Sequence, residues 1–281
     1  MHIKGWQKII QSTKRFYWAI RQDPFGNRAM KNLRRAITNT SEVARYCLMG
    51  RANLGFCPVC EKNTIFIEKS AWLRDNYLCI KCESIPRVRH IIHILDKYFP
   101  RYREWSIHES SPSGPSYNKL RKECKGYLPT YFWPDTAPGT LRNGVRCENL
   151  EALNFADATF DLVITQDVME HVMNPDLAFS EIARTLKPGG AHVFTVPWYA
   201  PMATFIRAAE VRGSIQYNAK KDYHGDPINE EGVLVVTEWG RDLPEYIFKY
   251  SGLITTAFLT QDRKMGLAGE FLEVFVSRKP L

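Results

Sequence analysis

The sequence predicts an α/β fold with a mostly parallel sheet and helices on both of its faces. From residue 104 onward, short runs that favour strands alternate with amphipathic runs that favour helices, which is typical of parallel sheets. Two apolar runs, Phe160–Gln166 and Ala191–Pro197, predict central strands, because a strand covered on both faces is apolar along its length. A cysteine-rich segment before residue 104 predicts a metal-binding extension.

The remaining elements follow from hydrophobic periodicity and from the residues that begin and end them. Pro86 begins a predicted helix that Pro100 ends. Further strands are predicted at Glu104–His108, Tyr127–Phe132, Val145–Cys147, Leu253–Leu259 and Glu270–Ser277. Further helices are predicted at Pro115–Cys124, Asp176–Leu186, residues 201–212 and Arg241–Tyr250. The polar stretch 213–231 is predicted to be a loop or lid.

The net charge of +8 is concentrated at the N-terminus. Residues 1–54 contain eleven Lys and Arg against two acidic residues, which gives +9 for this segment and −1 for the remainder. Apolar residues recur at helical spacing over 3–21 and over 30–48, so the segment is predicted to be a basic helical extension. Such a surface could meet nucleic acid, acidic lipid or an acidic partner, or could simply be a solvated helix face.

The sequence also indicates the cellular compartment. It has no uninterrupted apolar run near the ~20 residues of a transmembrane helix. Four Lys and Arg within the first fifteen residues leave no room for the apolar region of a signal peptide. The seven cysteines are an odd number, which does not favour a fully paired disulfide framework. We therefore expect a cytoplasmic protein.

Two Cys-x-x-Cys pairs predict a metal site. Cys57 and Cys60 are followed, after 18 intervening residues, by Cys79 and Cys82, which is within the ~15–20 residues typical of four-thiolate zinc sites. Two residues between cysteines allow one turn to direct both sulfurs to the same ion, and two such turns complete a tetrahedron. Four protein ligands leave no open coordination position, so the predicted zinc ion is structural. The alternative is two reduced or redox-active pairs.

The most informative stretch lies between residues 150 and 197. It contains Asp157-Ala158-Thr159-Phe160-Asp161-Leu162-Val163, Gln166-Asp167-Val168-Met169-Glu170-His171-Val172 and Leu186-Lys187-Pro188-Gly189-Gly190. These motifs resemble those of class I S-adenosylmethionine-dependent methyltransferases of the type-11 kind. The surroundings of the cysteine pairs, with Arg74 and the run Pro86–His90, also resemble the leader of zinc-knuckle bacterial methyltransferases. The alternative for Arg87 and Arg89 is a solvated helix start.

The resemblance implies a Rossmann-like methyltransferase sheet of seven strands, with an antiparallel last strand and S-adenosylmethionine as the cofactor. Ligands of such sheets bind in the crevice outside the carboxyl ends of the strands. The chain would then have three parts. They are a basic helical extension over 1–54, a zinc-knuckle region with its linking helix over 55–100, and a class I methyltransferase domain over 101–281.

The resemblance also implies which residues hold the cofactor. In place of the glycine-rich loop the chain has His108-Glu109-Ser110-Ser111-Pro112-Ser113-Gly114, in which Glu109 would face the ammonium group of the cofactor. Asp135 would hold the ribose hydroxyls, since a carboxylate accepts two hydrogen bonds, or would be only a turn residue. Asn149 and Leu150 would border the adenine. The predicted cofactor residues are Glu109, Ser110, Gly114, Asp135, Asn149, Leu150, Gln166 and Asp167.

Three residues are predicted to act on the methyl acceptor. Histidine is the side chain that ordinarily titrates near neutrality, and His224 lies among turn residues, where functional side chains concentrate. It is predicted to be the general base or a ligand of the acceptor, with Asp226 orienting it. His171, in the recurrent Glu170-His171 pair of the family, would line the active site. The alternatives are a turn stabilised by Asp226 and a structural histidine at position 171.

The acceptor itself is not specified by any motif. The first hypothesis is a hydroxyl of a small molecule or glycan, which suits the nearly neutral catalytic part of the chain. The second is an RNA or protein acceptor that docks on residues 1–54. The third is a non-catalytic scaffold that no longer binds the cofactor, or a zinc-based interaction module. Peripheral contact of the basic segment with a membrane is compatible with each of them.

Overall fold

A computed structural model describes residues 41–225 and 232–281. The basic helices predicted over 3–21 and 30–48 fall outside these residues except at 41–48, which are helical. In the described part of the chain, no helix combines the length and the apolar character needed to cross a bilayer.

A small antiparallel sheet carries the cysteine pairs. Its elements and the helix that follows are β1 (Ala52–Cys57), β2 (Lys62–Glu68), α1 (Leu73–Asn76), β3 (Tyr77–Cys79) and α2 (Pro86–Tyr98). The three strands pair in chain order. As predicted, α2 begins at Pro86, because proline fixes φ in the first helical turn, where a backbone N–H has no partner inside the helix.

Helix α2 joins the cysteine-rich module, which we define as residues 52–85, to the main sheet. Its residues Ile91, Ile92 and Leu95 are fully buried. They lie in the same apolar core as Ile107 and Val193 of the main sheet. The module is therefore joined to the main sheet through one shared core.

The strands that follow α2 build the main sheet and several short hairpins. In chain order they are β4 (Ser106–Ser110), β5 (Gly126–Tyr131), β6 (Leu141–Arg142), β7 (Val145–Cys147), β8 (Phe160–Gln166), β9 (Leu186–Thr195), β10 (Trp198–Tyr199), β11 (Phe205–Ile206), β12 (Ala208–Val211), β13 (Ser214–Tyr217), β14 (Tyr223–His224), β15 (Val233–Leu234), β16 (Thr237–Gly240), β17 (Ile254–Phe258) and β18 (Val274–Arg278). The main sheet has the order β17-β18-β9-β8-β4-β5-β7-β6. Strand β18 is antiparallel to both of its neighbours. The predicted α/β sheet with an antiparallel last strand is confirmed, and the two-residue β6 adds an eighth strand.

Helices cover both faces of this sheet. The helices after α2 are α3 (Gly114–Glu123), α4 (Pro175–Thr185) and α5 (Leu243–Ser251). Leu162 and Ile164 of β8 lie in the core under α2, whereas Val163 between them lies in the core under α4 and α5. Successive side chains of a strand point to opposite faces, so both faces of β8 are apolar and buried, as its sequence predicts.

Two predictions after residue 200 are wrong. Residues 201–212 are not helical but contain β11 and β12, and much of 213–225 is paired rather than looped. Strands β12 and β13 form a hairpin in which Val211 pairs with Ser214. Arg212 and Gly213 between them have φ of +52° and +77°. Positive φ at both central residues is the geometry of a type I′ turn, which matches the twist of a hairpin.

The Pro188-Gly189-Gly190 motif after α4 lies within a strand rather than in a loop. The helix ends at Thr185 and β9 begins at once, so Gly189 and Gly190 lie inside that strand. The register between β8 and β9 shifts at this point. A Cβ at Gly190 would lie 2.9 Å from the Lys187 carbonyl oxygen, so close backbone approach requires glycine in this bulge.

Candidate functional site

The four predicted zinc ligands converge in the cysteine-rich module. Cys57 Sγ lies 3.7 Å from Cys82 Sγ, and Cys60 Sγ lies 3.9 Å from Cys79 Sγ. All four sulfurs lie within 4.8 Å of one another, and none is in a disulfide. Four sulfurs at the usual Zn–S distance of ~2.3 Å would lie ~3.8 Å apart on a tetrahedron. The cluster therefore fits a zinc ion.

Neighbouring hydroxyl groups support this cluster. Ser84 Oγ lies 3.3 Å from Cys57 Sγ and 3.2 Å from Cys82 Sγ. Burial, followed by repulsion from Cys57 and Cys79, raises the pKa of the Cys60 thiol to about 12. A dication would remove that repulsion, because metal-bound thiols are deprotonated.

Three predicted cofactor residues meet at the carboxyl ends of β4 and β8. These strands are parallel neighbours, which places Glu109 beside Gln166. Gln166 Nε2 donates to Glu109 Oε1 at 2.6 Å, and the Tyr127 hydroxyl donates to the other carboxylate oxygen. Ser110 ends β4 and is also buried. A carboxylate has about four lone-pair positions, so Glu109 keeps capacity to accept a bond from an ammonium group.

Burial dominates the electrostatics of Glu109. The residue is fully buried, which raises the pKa of its carboxyl to about 7, although the hydrogen bonds from Tyr127 and Gln166 oppose the shift. A short distance along the chain, Gly114 begins α3 with φ of +70°. A Cβ at this glycine would meet no atom within 4 Å, so the loop leaves open space beside it.

The residues predicted to meet the nucleoside follow β5 and β7. Asp135 lies after β5, is 71% exposed and accepts a bond from Arg142 Nη1 at 2.6 Å. Asn149 lies after β7, and its Oδ1 accepts from the backbone N–H of Glu151 at 3.0 Å. Leu150 is buried in the core. Asp135 is thus the most accessible polar group of this set.

Asp167 is engaged by the cysteine-rich module and helix α2. Arg74 Nη2 lies 2.8 Å from both of its oxygens, Arg87 Nη1 lies 3.1 Å from Oδ2, and Thr195 Oγ1 donates to Oδ1 at 2.8 Å. Burial opposes ionisation, but Arg87 and Arg74 outweigh it and hold the pKa of Asp167 below its usual range. Its charge is therefore compensated within the protein, although its sequence position predicts a cofactor contact.

The arginines at the start of α2 do not form a solvated helix start. Arg89 is fully buried and donates from Nη2 to the carbonyl oxygens of Tyr77 at 2.7 Å and Gly266 at 2.6 Å. Its guanidinium lies 4.7 Å from the ring centroid of Phe66. The alternative interpretation of this segment is therefore wrong for Arg89, and Arg87 joins the Asp167 network.

The two predicted catalytic histidines meet at Glu170. His171 Nε2 lies 3.8 Å and His224 Nδ1 lies 3.9 Å from Glu170 Oε1. Strand β14 carries His224, and the backbone N–H groups of Val236 and Thr237 hold the Glu170 carbonyl oxygen at 2.8 and 3.0 Å. In the sequence, Glu170 is distinguished only as the neighbour of His171. Asp226 lies outside the described residues.

This cluster is buried on one side and open on the other. Glu170 is 2% exposed, and His224 is 42% exposed at a small cleft that Tyr199 and Asp222 also line. Burial, and then the charge of Asp167, raises the pKa of Glu170 well above its usual value. Burial lowers the pKa of His171 to about 4. Burial therefore favours the neutral imidazole of His171 beside Glu170.

The sheet order, the antiparallel β18 and the polar groups at the carboxyl edge define a class I methyltransferase fold. Residues 133–194 match the family described as a methyltransferase domain. This segment runs from the loop after β5 into β9 and includes the Asp161, Asp167 and Glu170 motifs. This part of the chain is therefore similar to a methyltransferase domain, and it contains the motifs that carry the resemblance in the sequence.

Solved structures with a similar fold cover about two thirds of the chain. A methyltransferase from Methanosarcina mazei is 16% identical, covers 66% of this chain and 98% of its own, and has a TM-score of 0.39. A methyltransferase from Mesorhizobium loti is 16% identical, covers 68% of this chain and 98% of its own, and has a TM-score of 0.44. DesVI of Streptomyces venezuelae is 15% identical, covers 69% of this chain and 92% of its own, and also has a TM-score of 0.44. No curated protein matches the chain.

Proposed function

We propose that this protein is an S-adenosylmethionine-dependent methyltransferase that transfers the methyl group to a hydroxyl of a small molecule or sugar. The observation that supports this proposal is that Glu170, His171 and His224 lie together beside a small cleft at the surface. The cofactor supplies an activated methyl group. The protein must align the acceptor oxygen with it and remove the hydroxyl proton.

The cofactor would lie along the carboxyl ends of β4, β5, β7 and β8. Glu109 would accept a bond from its ammonium group, with Ser110 and Gly114 forming the adjoining loop. Asp135 would hold the ribose hydroxyls, because its exposed carboxylate has only Arg142 as a charged partner. Asn149 and Leu150 would border the adenine, and Gln166 would orient Glu109. Asp167 would act indirectly, by fixing Arg74 and Arg87 beside the crevice.

His224 would meet the acceptor directly. It is the most exposed member of the cluster, and its Nδ1 faces Glu170. An imidazole in this place can remove the hydroxyl proton or bind the acceptor as a ligand. His171 would support it from the buried side, and Asp226 would orient it from the neighbouring segment.

We also propose that Cys57, Cys60, Cys79 and Cys82 bind a structural zinc ion. The ion would supply folding stability to a module whose three strands are short. It would also fix the position of Arg74, which lies between β2 and β3. The cytoplasm, where thiols stay reduced, is the compartment that suits this site.

Replacement of His224 tests the proposal. His224→Ala is expected to lower turnover on hydroxyl acceptors by about 100-fold, in the range typical of acid–base groups, and to leave S-adenosylmethionine binding unchanged. Turnover is measured as S-adenosylhomocysteine formed with a panel of sugars and small alcohols. Lys221→Ala, an exposed change near β14, is the matched control and should alter neither quantity. Full turnover in His224→Ala would contradict the proposed role.

A second candidate acceptor is RNA or a protein. The charge of +9 in residues 1–54 favours it, because a basic segment attracts phosphates and acidic surfaces. Binding of such an acceptor would weaken steeply as salt is raised, whereas binding of a neutral sugar would not. A comparison of KM at low and high salt therefore separates the two candidates.

A further inference from the structure

Glu170 is unusual among the carboxylates of the protein. Among the buried carboxylates of residues 41–225 and 232–281, it is the only one in which both oxygens lack a hydrogen-bond partner. A buried ionised group without a partner is strongly unfavourable, so such groups are paired, protonated or bound to a metal. We propose that Glu170, His171 and His224 bind a divalent metal ion, separate from the cysteine cluster, at the acceptor side of the active site.

The distances suit a shared ion. The three ligand atoms lie within 4.8 Å of one another, and both histidine nitrogens lie less than 4 Å from Glu170 Oε1. Imidazole and carboxylate ligands bind zinc at ~2.0–2.2 Å, so two ligands of one ion lie ~3–4 Å apart, depending on the angle between them. A small inward shift of His224, which is partly exposed, would complete the set.

The protonation state of His171 also suits metal binding. Its Nδ1 lies 2.8 Å from the Leu234 carbonyl oxygen, which can only accept, so Nδ1 carries the proton. The lone pair of Nε2 is then left on the side of Glu170. Metal-bound histidines usually donate their second N–H to a carbonyl or carboxylate, which fixes the ring in this way.

The surrounding charges leave room for a cation. Arg74 and Arg87 are nearby, but Asp75 and Asp167 match them with contacts of 2.8 to 3.8 Å. Glu170 is a further carboxyl beyond these two pairs, and a bound cation would stabilise it in its ionised form. Asp222 also lines the cleft, at which the buried Thr237 hydroxyl has no partner among the described residues. Because both arginines are paired with aspartates, their charges do not oppose a cation at the cluster.

The ligand set indicates the class of metal and its chemistry. Two imidazoles and one carboxylate suit zinc, iron(II), cobalt(II) and manganese(II), and three protein ligands leave an open position. An acceptor hydroxyl there would lose its proton to water more readily, because the cation stabilises the alkoxide. The oxygen then forms a bond to the methyl carbon as the sulfur–carbon bond breaks, and the electron pair stays on sulfur. When the metal ion is bound, His224 acts as a metal ligand rather than as a free general base.

This catalytic meaning rests on the proposed function, but metal binding can be measured without it. Co²⁺ is titrated into full-length protein whose cysteine cluster is loaded with zinc, and visible d–d absorption is followed. One Co²⁺ per chain is expected, without the near-ultraviolet thiolate charge-transfer band that exchange at the cysteines would produce. His224→Ala should weaken Co²⁺ binding by at least ~10-fold, since loss of outer-shell partners alone costs 10–100-fold. His93→Ala removes a partly buried histidine outside the cluster and should not change it.

The outcomes separate the two proposals. Absence of the visible band, a band that appears only with thiolate charge transfer, or equal Co²⁺ affinity in His224→Ala and the parent would overturn the metal site. Turnover is then compared before and after a chelator that leaves the cysteine-bound zinc in place, checked by mass. Binding of Co²⁺ without any methyl transfer would support the metal site and contradict the proposed function. Binding with chelator-resistant turnover would remove the catalytic role and keep the site.

Discussion

At the residue scale, the proposed cofactor site depends on one buried carboxyl. Glu109 stands where the family has a glycine-rich loop, and it is held by Tyr127 and Gln166 from neighbouring strands. Its pKa of about 7 places its ionisation inside the physiological range. A group of this kind can bind an ammonium only when it has lost its proton, so cofactor binding should depend on pH.

The first prediction is that S-adenosylmethionine binds more tightly as pH rises from 5.5 to 7.5. The reason is that Glu109 is protonated below its raised pKa of about 7 and ionised above it. The expected change approaches tenfold per pH unit at the acidic end of the range. Glu109→Gln should bind weakly and without this pH dependence, as measured by calorimetry.

Asp135→Asn is the matched control for this experiment. Asp135 is exposed and is proposed to meet the ribose rather than the ammonium group, so this variant should bind more weakly but keep the pH dependence of the parent protein. If the unsubstituted protein bound S-adenosylmethionine equally well at pH 5.5 and 7.5, the role of Glu109 would be refuted.

Residues close in the sequence could be predicted to meet, and residues far apart could not. The two Cys-x-x-Cys pairs fix their own geometry locally, so the spacing alone predicts the cluster that the structure contains. The contact between Arg74 and Asp167 joins residues 93 positions apart. It depends on how α2 docks on the sheet, which no local pattern encodes. The sequence also could not predict that both carboxylate oxygens of Glu170 lack a hydrogen-bond partner, because this depends on which residues pack around the side chain.

At the scale of elements, apolar patterns predicted the central strands well and the region after residue 200 poorly. Strand β8 has the predicted bounds because both of its faces are buried. In contrast, β12 and β13 are mostly exposed, so their residues show no clear period. Arg212-Gly213 was the available signal, since a glycine favours a two-residue hairpin turn. The position of His224 near Glu170 depends on the pairing of β14 with β15, which the sequence pattern does not show.

The cysteine-rich module yields a prediction at this scale. Cys60→Ser should lose the zinc ion and lower the thermal unfolding temperature, because structural zinc sites contribute on the order of 10 kcal/mol to folding in small domains. Arg74 would then no longer be held at Asp167, so S-adenosylmethionine should bind more weakly as well. Zinc content is measured by mass spectrometry and unfolding by calorimetry.

Cys47→Ser provides the control for the module. Cys47 is exposed and lies outside the cluster, so this variant should keep its zinc and its unfolding temperature. A Cys60→Ser protein with one bound zinc per chain and an unchanged unfolding temperature would show that the cysteines are not a structural metal site.

At the scale of the whole molecule, the cysteine-rich module and the catalytic sheet share one apolar core. Helix α2 provides the contact, and the Arg74–Asp167 and Arg87–Asp167 pairs extend it to the carboxyl edge. The order of the strands could be expected only from the resemblance to methyltransferases, since periodicity predicts elements and not their neighbours. Strand β6 was missed because two residues carry no pattern.

The central claim is that the carboxyl edge of this sheet binds S-adenosylmethionine. Its most direct test is isothermal titration of the cofactor into the zinc-loaded full-length protein near pH 7.5, where Glu109 is ionised. We predict saturable heat with one cofactor per chain, displaced by S-adenosylhomocysteine. Titrations with no heat of binding, in protein that is folded and retains its zinc, would contradict the claim and leave a zinc scaffold with a methyltransferase fold.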